Sequence, residues 1–88
     1  MGYTIQEKKT LCDGVYSFWI TAPQIVKKRA PGQFLILRPH EESERIPLTI
    51  ADVRPERGEL RVIVQAVGKT TRDLASMDEG DEIRDVAG

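Results

Sequence analysis

The 88-residue sequence holds a single cysteine, a single histidine and a single tryptophan, and this scarcity closes several routes. Cys12 alone forms no internal disulfide and cannot hold a zinc ion or an iron–sulfur cluster, which need several ligands. His40 stands in an acidic loop with no second histidine near it, and nothing in the sequence assembles a catalytic triad or a paired-carboxylate site. No apolar stretch reaches about 18 residues, and no basic segment followed by an apolar run opens the chain, so no membrane insertion is expected. An excess of one charge is missing too. Thirteen Lys and Arg against 14 Asp and Glu leave a formal net charge of −1, which gives no broad attraction to phosphate backbones. No nucleic-acid partner is expected, and the aromatic residues cluster in one segment instead of interleaving with Lys and Arg. The expectation is one soluble domain in a reducing, cytoplasmic compartment.

What is present reads as short strands punctuated by turns. Apolar residues at 40% and charged ones at 31% are an ordinary globular balance. Tyr3 to Leu11 is extended, and Asp13-Gly14 supplies the dihedrals of a tight hairpin. Val15 to Thr21 alternates, with Tyr16, Phe18 and Ile20 on one face and Trp19 on the other. Pro23 ends that strand. Ala30-Pro31-Gly32 is a turn before Gln33 to Arg38, which is apolar on both faces. Ile46 to Val53 is extended again, and Pro47 within it demands a bulge or an edge where no ladder bond is lost. After Pro55 to Gly58, the set Leu60, Val62, Val64 and Ala66 faces inward. Thr70 or Thr71 caps a short helix running to Met77, with Asp73 in its first turn, and Ile83 to Val86 makes a short last strand. The expected core is Phe18, Ile20, Phe34, Ile36, Ile50, Val62 and Ile83. Turn signals come too often for βαβ units, so a small antiparallel barrel is the economical architecture.

Two segments carry chemistry. In Val67-Gly68-Lys69-Thr70-Thr71 a strand meets a glycine and then a helix start, where free N–H groups can meet an anion. A P-loop is excluded, because the glycine it requires five positions before Gly68 is Ile63. A plain glycine turn with a threonine cap accounts for the same residues. In Glu44 to Asp52, Pro47 interrupts an apolar strand beside Thr49, which suits a flat polar ring needing donors and acceptors. A surface pair of Arg45 with Glu44 or Glu42, and Pro47 marking an edge, is the other reading.

Together with Pro31-Gly32-Gln33-Phe34, Gly80-Asp81 and Asp85-Val86-Ala87-Gly88, these segments resemble the FAD-binding barrel of the ferredoxin–NADP reductase superfamily. The likeness is to the branch holding the small subunit of NADH-dependent ferredoxin:NADP oxidoreductase and the electron-transfer subunit of dihydroorotate dehydrogenase. It covers essentially the whole chain. The resemblance implies a six-stranded antiparallel Greek-key barrel with one short helix and FAD at its open side. It implies Thr49 near flavin N5 or O4, Pro47 and Leu48 against the ring, and main-chain groups of Val64, Gln65 and Ala66 beside the flavin and ribityl chain. Gly68, Lys69, Thr70 and Thr71 would cradle the pyrophosphate. The superfamily's phosphate-binding arginine lies three residues before the Ser or Thr, where this sequence has Ile46, so Arg45 serves only if the strand is irregular at Pro47.

By the same resemblance, the chain is expected to be residues 1–88 of a longer oxidoreductase, a single barrel domain at its N-terminus. A nicotinamide-binding domain and a cysteine-rich [2Fe–2S] segment would follow Gly88, so NAD(P) and iron–sulfur chemistry belong outside these residues. The implied partners are that missing domain and a larger flavin/iron–sulfur subunit. The implied function is electron transfer between NAD(P)H and an iron–sulfur partner, with the isolated 88 residues inactive. The alternative is a flavin-free barrel used for binding or assembly. Its open side would expose Leu48, Trp19 and Val64 and invite self-association.

Overall fold

The computed structural model describes residues 3–88. The strands are β1 (Tyr3–Cys12), β2 (Val15–Thr21), β3 (Phe34–Arg38), β4 (Ile46–Arg54), β5 (Glu59–Gln65), β6 (Glu82–Ile83) and β7 (Asp85–Ala87). Helix α1 (Pro23–Lys28) lies between β2 and β3, a 3-10 turn (Pro55–Arg57) between β4 and β5, and helix α2 (Lys69–Ala75) between β5 and β6. The sheet runs in the order β6-β1-β2-β5-β4-β3-β7, with every pairing antiparallel. Its two outer strands are consecutive in the chain, joined through Arg84 alone, so one short segment bridges both edges of a nearly closed barrel.

This corrects the expectation of six strands and one helix. The segment Ile83 to Val86 is not one strand. Ile83 pairs with Tyr3 of β1, whereas Val86 pairs with Leu37 of β3. Between them the Arg84 N–H leaves the ladder and donates to the Pro39 carbonyl at 3.1 Å. Ile83 and Val86 are both buried. Residues three apart point to opposite faces of a regular strand, so the chain must turn between them to bury both. The second helix was hidden by Pro23. Proline ends a strand, but its fixed φ also suits the first turn of a helix, and here it starts α1, which buries Ile25.

Phe18, Ile20, Ile50, Val62 and Ile83 lie in the core as expected, together with Ile5, Leu60, Val64 and Leu74. Phe34 and Ile36 do not. They are 67% and 46% exposed, while Leu35 and Leu37 are buried. Four consecutive apolar residues satisfy either face, and the pairing of Leu35 with Leu48 and Leu37 with Ile46 selects the opposite one. Trp19 faces outward but is covered. The Arg54 guanidinium lies 3.7 Å from its ring centroid and bonds Glu7 and Glu59 at 3.1 and 3.2 Å. Desolvation lowers the Arg54 pKa, but the hydrogen bonds and charges of Glu7 and Glu59 outweigh it and hold the group above its ordinary value. Among the described residues no helix is long and apolar enough to cross a membrane.

The register of β3 sets up a direct test. Leu37→Ala should cost about 2–5 kcal/mol, the usual penalty for emptying a core site. Phe34→Ala should stay within about 0.5 kcal/mol of the parent, as at an exposed position. Chemical denaturation of the two variants beside the parent reads both values.

Candidate functional site

Strands β4 and β5 share a ladder that stops partway. They pair from Arg54–Glu59 to Ile50–Val62, with an irregularity between Ile50 and Asp52. The next pair in register, Thr49 with Ile63, is not formed, yet both strands continue, β4 back to Ile46 and β5 on to Gln65. On its other side β4 stays paired with β3 through Thr49, Leu48, Pro47 and Ile46.

Two hydrogen bonds show which way the main chain faces along this opening. The Ile50 N–H donates to the Gln33 carbonyl at 2.8 Å, and the Ile50 carbonyl accepts from Gly32 N–H at 2.9 Å. Main-chain groups alternate sides along a strand, so those of Leu48 face β3 and those of Pro47 and Thr49 face the opening. The Pro47 nitrogen therefore sits where no ladder bond is required. This is the edge its presence demanded, placed inside the sheet. The Thr49 N–H has no ladder partner, and the Thr49 side chain is exposed beside it.

On the opposite wall, the Ala66 N–H donates to Gly14 at 2.9 Å, which turns Ala66 and Val64 toward β2. Ile63 and Gln65 face the opening. Ile63 was missed in the sequence; the alternation counted back from Ala66 is the signal that finds it. Leu48 is half-buried against the core, on the face opposite Pro47 and Thr49.

Beyond β5 the chain turns at Gly68 into α2. Neither Thr70 nor Thr71 is the N-cap, as had been expected; both lie inside the helix, and Gly68 precedes it. The Thr71 hydroxyl reaches back to accept from the N–H groups of Gly68 and Val67, at 2.9 and 3.1 Å, and donates to the Gly68 carbonyl at 3.1 Å. That hydroxyl is fully used in holding the turn, whereas the Thr70 hydroxyl makes no hydrogen bond among the described residues. Asp73 lies beyond the first turn, paired with Lys69 at 3.3 Å. Gly68 itself has extended dihedrals, φ −134°, and a Cβ there would meet only the Thr71 Oγ1, at 3.9 Å. Neither conformation nor packing requires glycine at this position, and its effect is to leave the space before the backbone clear.

A cavity of about 320 Å³ lies beside this turn, lined by Glu42, Ser43, Glu44, Lys69, Thr70 and Asp73. Arg45 is absent from its lining. Its guanidinium lies 3.6 Å from the Asp85 carboxylate and is 61% exposed. An apolar depression of about 550 Å³ covers β3 at Phe34 and Ile36. The apolar side chains exposed near the opening are Phe34, Ile36, Ile63 and Val67, not the expected set of Leu48, Trp19 and Val64. Trp19 and Val64 are buried, Val64 because it belongs to the inward row of β5. Among the described residues no three His, Cys, Asp or Glu side chains are grouped to hold a metal ion.

Comparison with known proteins fits this geometry. No protein-family model matches the chain. It is 49% identical over 84 residues to a dihydroorotate dehydrogenase B (NAD(+)) electron transfer subunit homolog of Thermotoga maritima, covering 96% of this chain and 30% of that protein. The electron transfer subunit of dihydroorotate dehydrogenase B (NAD(+)) from Bacillus velezensis is 36% identical over 88 residues, covering 97% of this chain and 34% of that protein. A solved structure of an NADH-dependent reduced ferredoxin–NADP oxidoreductase superposes with a TM-score of 0.94 at 46% identity, over 100% of this chain and 32% of the other. The fold and these likenesses together define a barrel domain of the ferredoxin–NADP reductase type. The chain belongs to that superfamily, as a homologue of the barrel in ferredoxin–NADP oxidoreductase and the dihydroorotate dehydrogenase electron-transfer subunit. It spans about a third of the length of these relatives.

The turn makes its own prediction. Thr71→Val should destabilise the fold by about 1 kcal/mol, because the Gly68 N–H loses its acceptor while the Val67 N–H keeps only the Gln65 carbonyl, at 2.9 Å. Gly68→Ala should leave the melting temperature within a few degrees of the parent. Thermal unfolding followed by circular dichroism compares them.

Proposed function

We propose that the chain is an FAD-binding electron-transfer domain. The observation that carries the reading is the interrupted ladder, which leaves the Thr49 N–H facing an opening between two strands, with the exposed Thr49 side chain and Pro47 beside it. On this reading Thr49 bonds the polar edge of the isoalloxazine near N5 or O4. Pro47 packs on the ring, and Leu48 supports that strand from the core side. Val64, Gln65 and Ala66 form the opposite wall, Gln65 with its main chain toward the ligand. Gly68 lets the diphosphate approach the N–H groups of Lys69 and Thr70, and Thr71 fixes the shape of the turn. β4 keeps its register with β3 through Pro47, so the irregularity on which a diphosphate role for Arg45 depended is absent there, and Arg45 lies beside Asp85 instead.

A flavin takes up a hydride and releases single electrons, which is the chemistry FAD would supply when bound. The chain's own share is to hold, orient and hydrogen-bond, and this requires no acid or base side chain. NAD(P)H, a [2Fe–2S] centre, a nicotinamide-binding domain and a larger flavin/iron–sulfur subunit are assigned to a longer cytoplasmic protein. Coverage of only a third of the relatives supports that assignment. The 88 residues by themselves are then inactive toward nicotinamides.

Titration with FAD, read by flavin fluorescence and by melting temperature, tests the proposal. Weak, saturable binding that raises the melting temperature is expected, since a ligand stabilises the state that holds it. Gly68→Val should lose FAD while keeping parent stability. Thr49→Val should lose one hydrogen bond, about 0.5–1.5 kcal/mol, and alter the flavin reduction potential. Saturating FAD with neither signal changed in the parent overturns the reading in favour of a flavin-free binding barrel, for which the exposed Phe34, Ile36, Ile63 and Val67 would form the contact surface.

A further inference from the structure

The turn before β3 is the segment that holds Ile50, and it lies on the surface. Residues 27–34 are all exposed, so the shape of the turn depends on its own hydrogen bonds. Pro31 fixes its own φ and Gly32 takes a φ of +92°, as the second and third positions of a type II turn require. The Gln33 N–H closes that turn on the Ala30 carbonyl at 3.1 Å. The Gln33 side chain closes it again from the other end, its Oε1 accepting from the Ala30 N–H at 2.9 Å. Only this oxygen is used, for the Gln33 Nε2 makes no hydrogen bond among the described residues. Ile50 then meets two residues at once: its carbonyl accepts from the Gly32 N–H at 2.9 Å, and its N–H donates to the Gln33 carbonyl at 2.8 Å. Two residues opposite one, the first a glycine of positive φ, make a glycine bulge, which bends and re-aims the chain at that point. The next pair along is Phe34 with Thr49.

We propose that Gln33 is a positioning residue for Thr49: its side chain locks the Ala30–Gln33 turn, the turn fixes the bulge at Ile50, and the bulge aims the Thr49 N–H into the β4–β5 opening. The consequence for a bound ligand rests on the flavin reading above; the geometry of the free chain does not. Thr49 lies between Leu48 and Ile50, the two residues whose main chain faces β3. The β3 ladder holds the first, and the turn holds the second. The Gln33 carbonyl meets Ile50 only while its peptide plane keeps one orientation. An exposed turn closed by a single main-chain bond is free to rock about that bond, and the side-chain bond to Ala30 removes this freedom. A carboxylate oxygen at the same place would do the same work, since the amide nitrogen takes no part.

The test compares Gln33→Met, which keeps the length but offers no oxygen, with Gln33→Glu, which restores one. In the ligand-free chain, Gln33→Met should speed hydrogen exchange of the Ile50 amide about two- to ten-fold, the equivalent of one lost hydrogen bond. It should also shift the Thr49 amide NMR signal of the folded chain. Gln33→Glu should return both to parent values. A merely stabilising role for Gln33 predicts a lower melting temperature with the Thr49 signal in place. That result overturns the proposal, as does a Thr49 signal shifted as far in Gln33→Glu as in Gln33→Met. FAD titrations of the same proteins separate the two readings. With FAD bound, Gln33→Met should move the flavin reduction potential and Gln33→Glu should restore it. FAD bound at an unmoved potential keeps the flavin site and overturns the role of Gln33. No FAD binding by the parent, with the Ile50 and Thr49 amides still altered in Gln33→Met, supports Gln33 and overturns the flavin site.

Discussion

Ile50 exchanges both main-chain groups with the Gly32–Gln33 turn, at 2.9 and 2.8 Å, and the candidate site follows from that exchange. It fixes which residues of β4 face β3 and which face β5. Once Ile50 faces β3, Pro47 and Thr49 must face the other way, and the ladder to β5 ends at their level. The proline then removes no bond. A donor that would otherwise belong to a sheet is left beside an exposed threonine side chain, between β4 and β5. For the flavin we propose, such a site needs no catalytic side chain, because position and hydrogen bonding are what a redox cofactor takes from its protein.

The rest of the barrel keeps this opening from closing or collapsing. β3 holds β4 from behind and is itself held by β7, where Arg38 and Asp85 pair side chains across the two strands. On the far side, Arg54 lies flat on Trp19 and bonds carboxylates of β1 and β5, tying four strands through one side chain. At the end of β5, Lys8 donates to the Ala75 carbonyl at 2.7 Å, which anchors the last turn of α2 to β1. A seven-residue helix is marginal alone and depends on such contacts, together with the buried Leu74, for its position.

Much of this was legible in the sequence. Asp13-Gly14 marks the first hairpin, and β2 and β5 show their inward faces by simple alternation, Tyr16, Phe18 and Ile20 in the one and Leu60, Val62 and Val64 in the other. Pro47 within an apolar strand announced a side without ladder bonds, and Gly68 between a strand and a threonine pair announced a turn into a helix. The resemblance carried by these segments points to the ferredoxin–NADP reductase superfamily, and the fold agrees with it.

Other features were decided only by the tertiary structure. Phe34-Leu35-Ile36-Leu37 is apolar on both faces, so its pattern contains no information about which side is inward; pairing with Leu48 and Ile46 supplies it. The break at Arg84 exists because Ile83 and Val86 must bury against strands at opposite ends of the sheet, a relation visible only after the chain has closed. Pro23 reads as a strand end, and only the burial of Ile25 makes its surroundings a helix. The partner of Arg45 lies 40 positions away, on a strand that reaches it by closing the barrel. Alternation and turn chemistry are local and can be read from neighbours in the chain. Register, closure and ion pairing depend on which distant segments share space, and the chain order alone leaves those undecided.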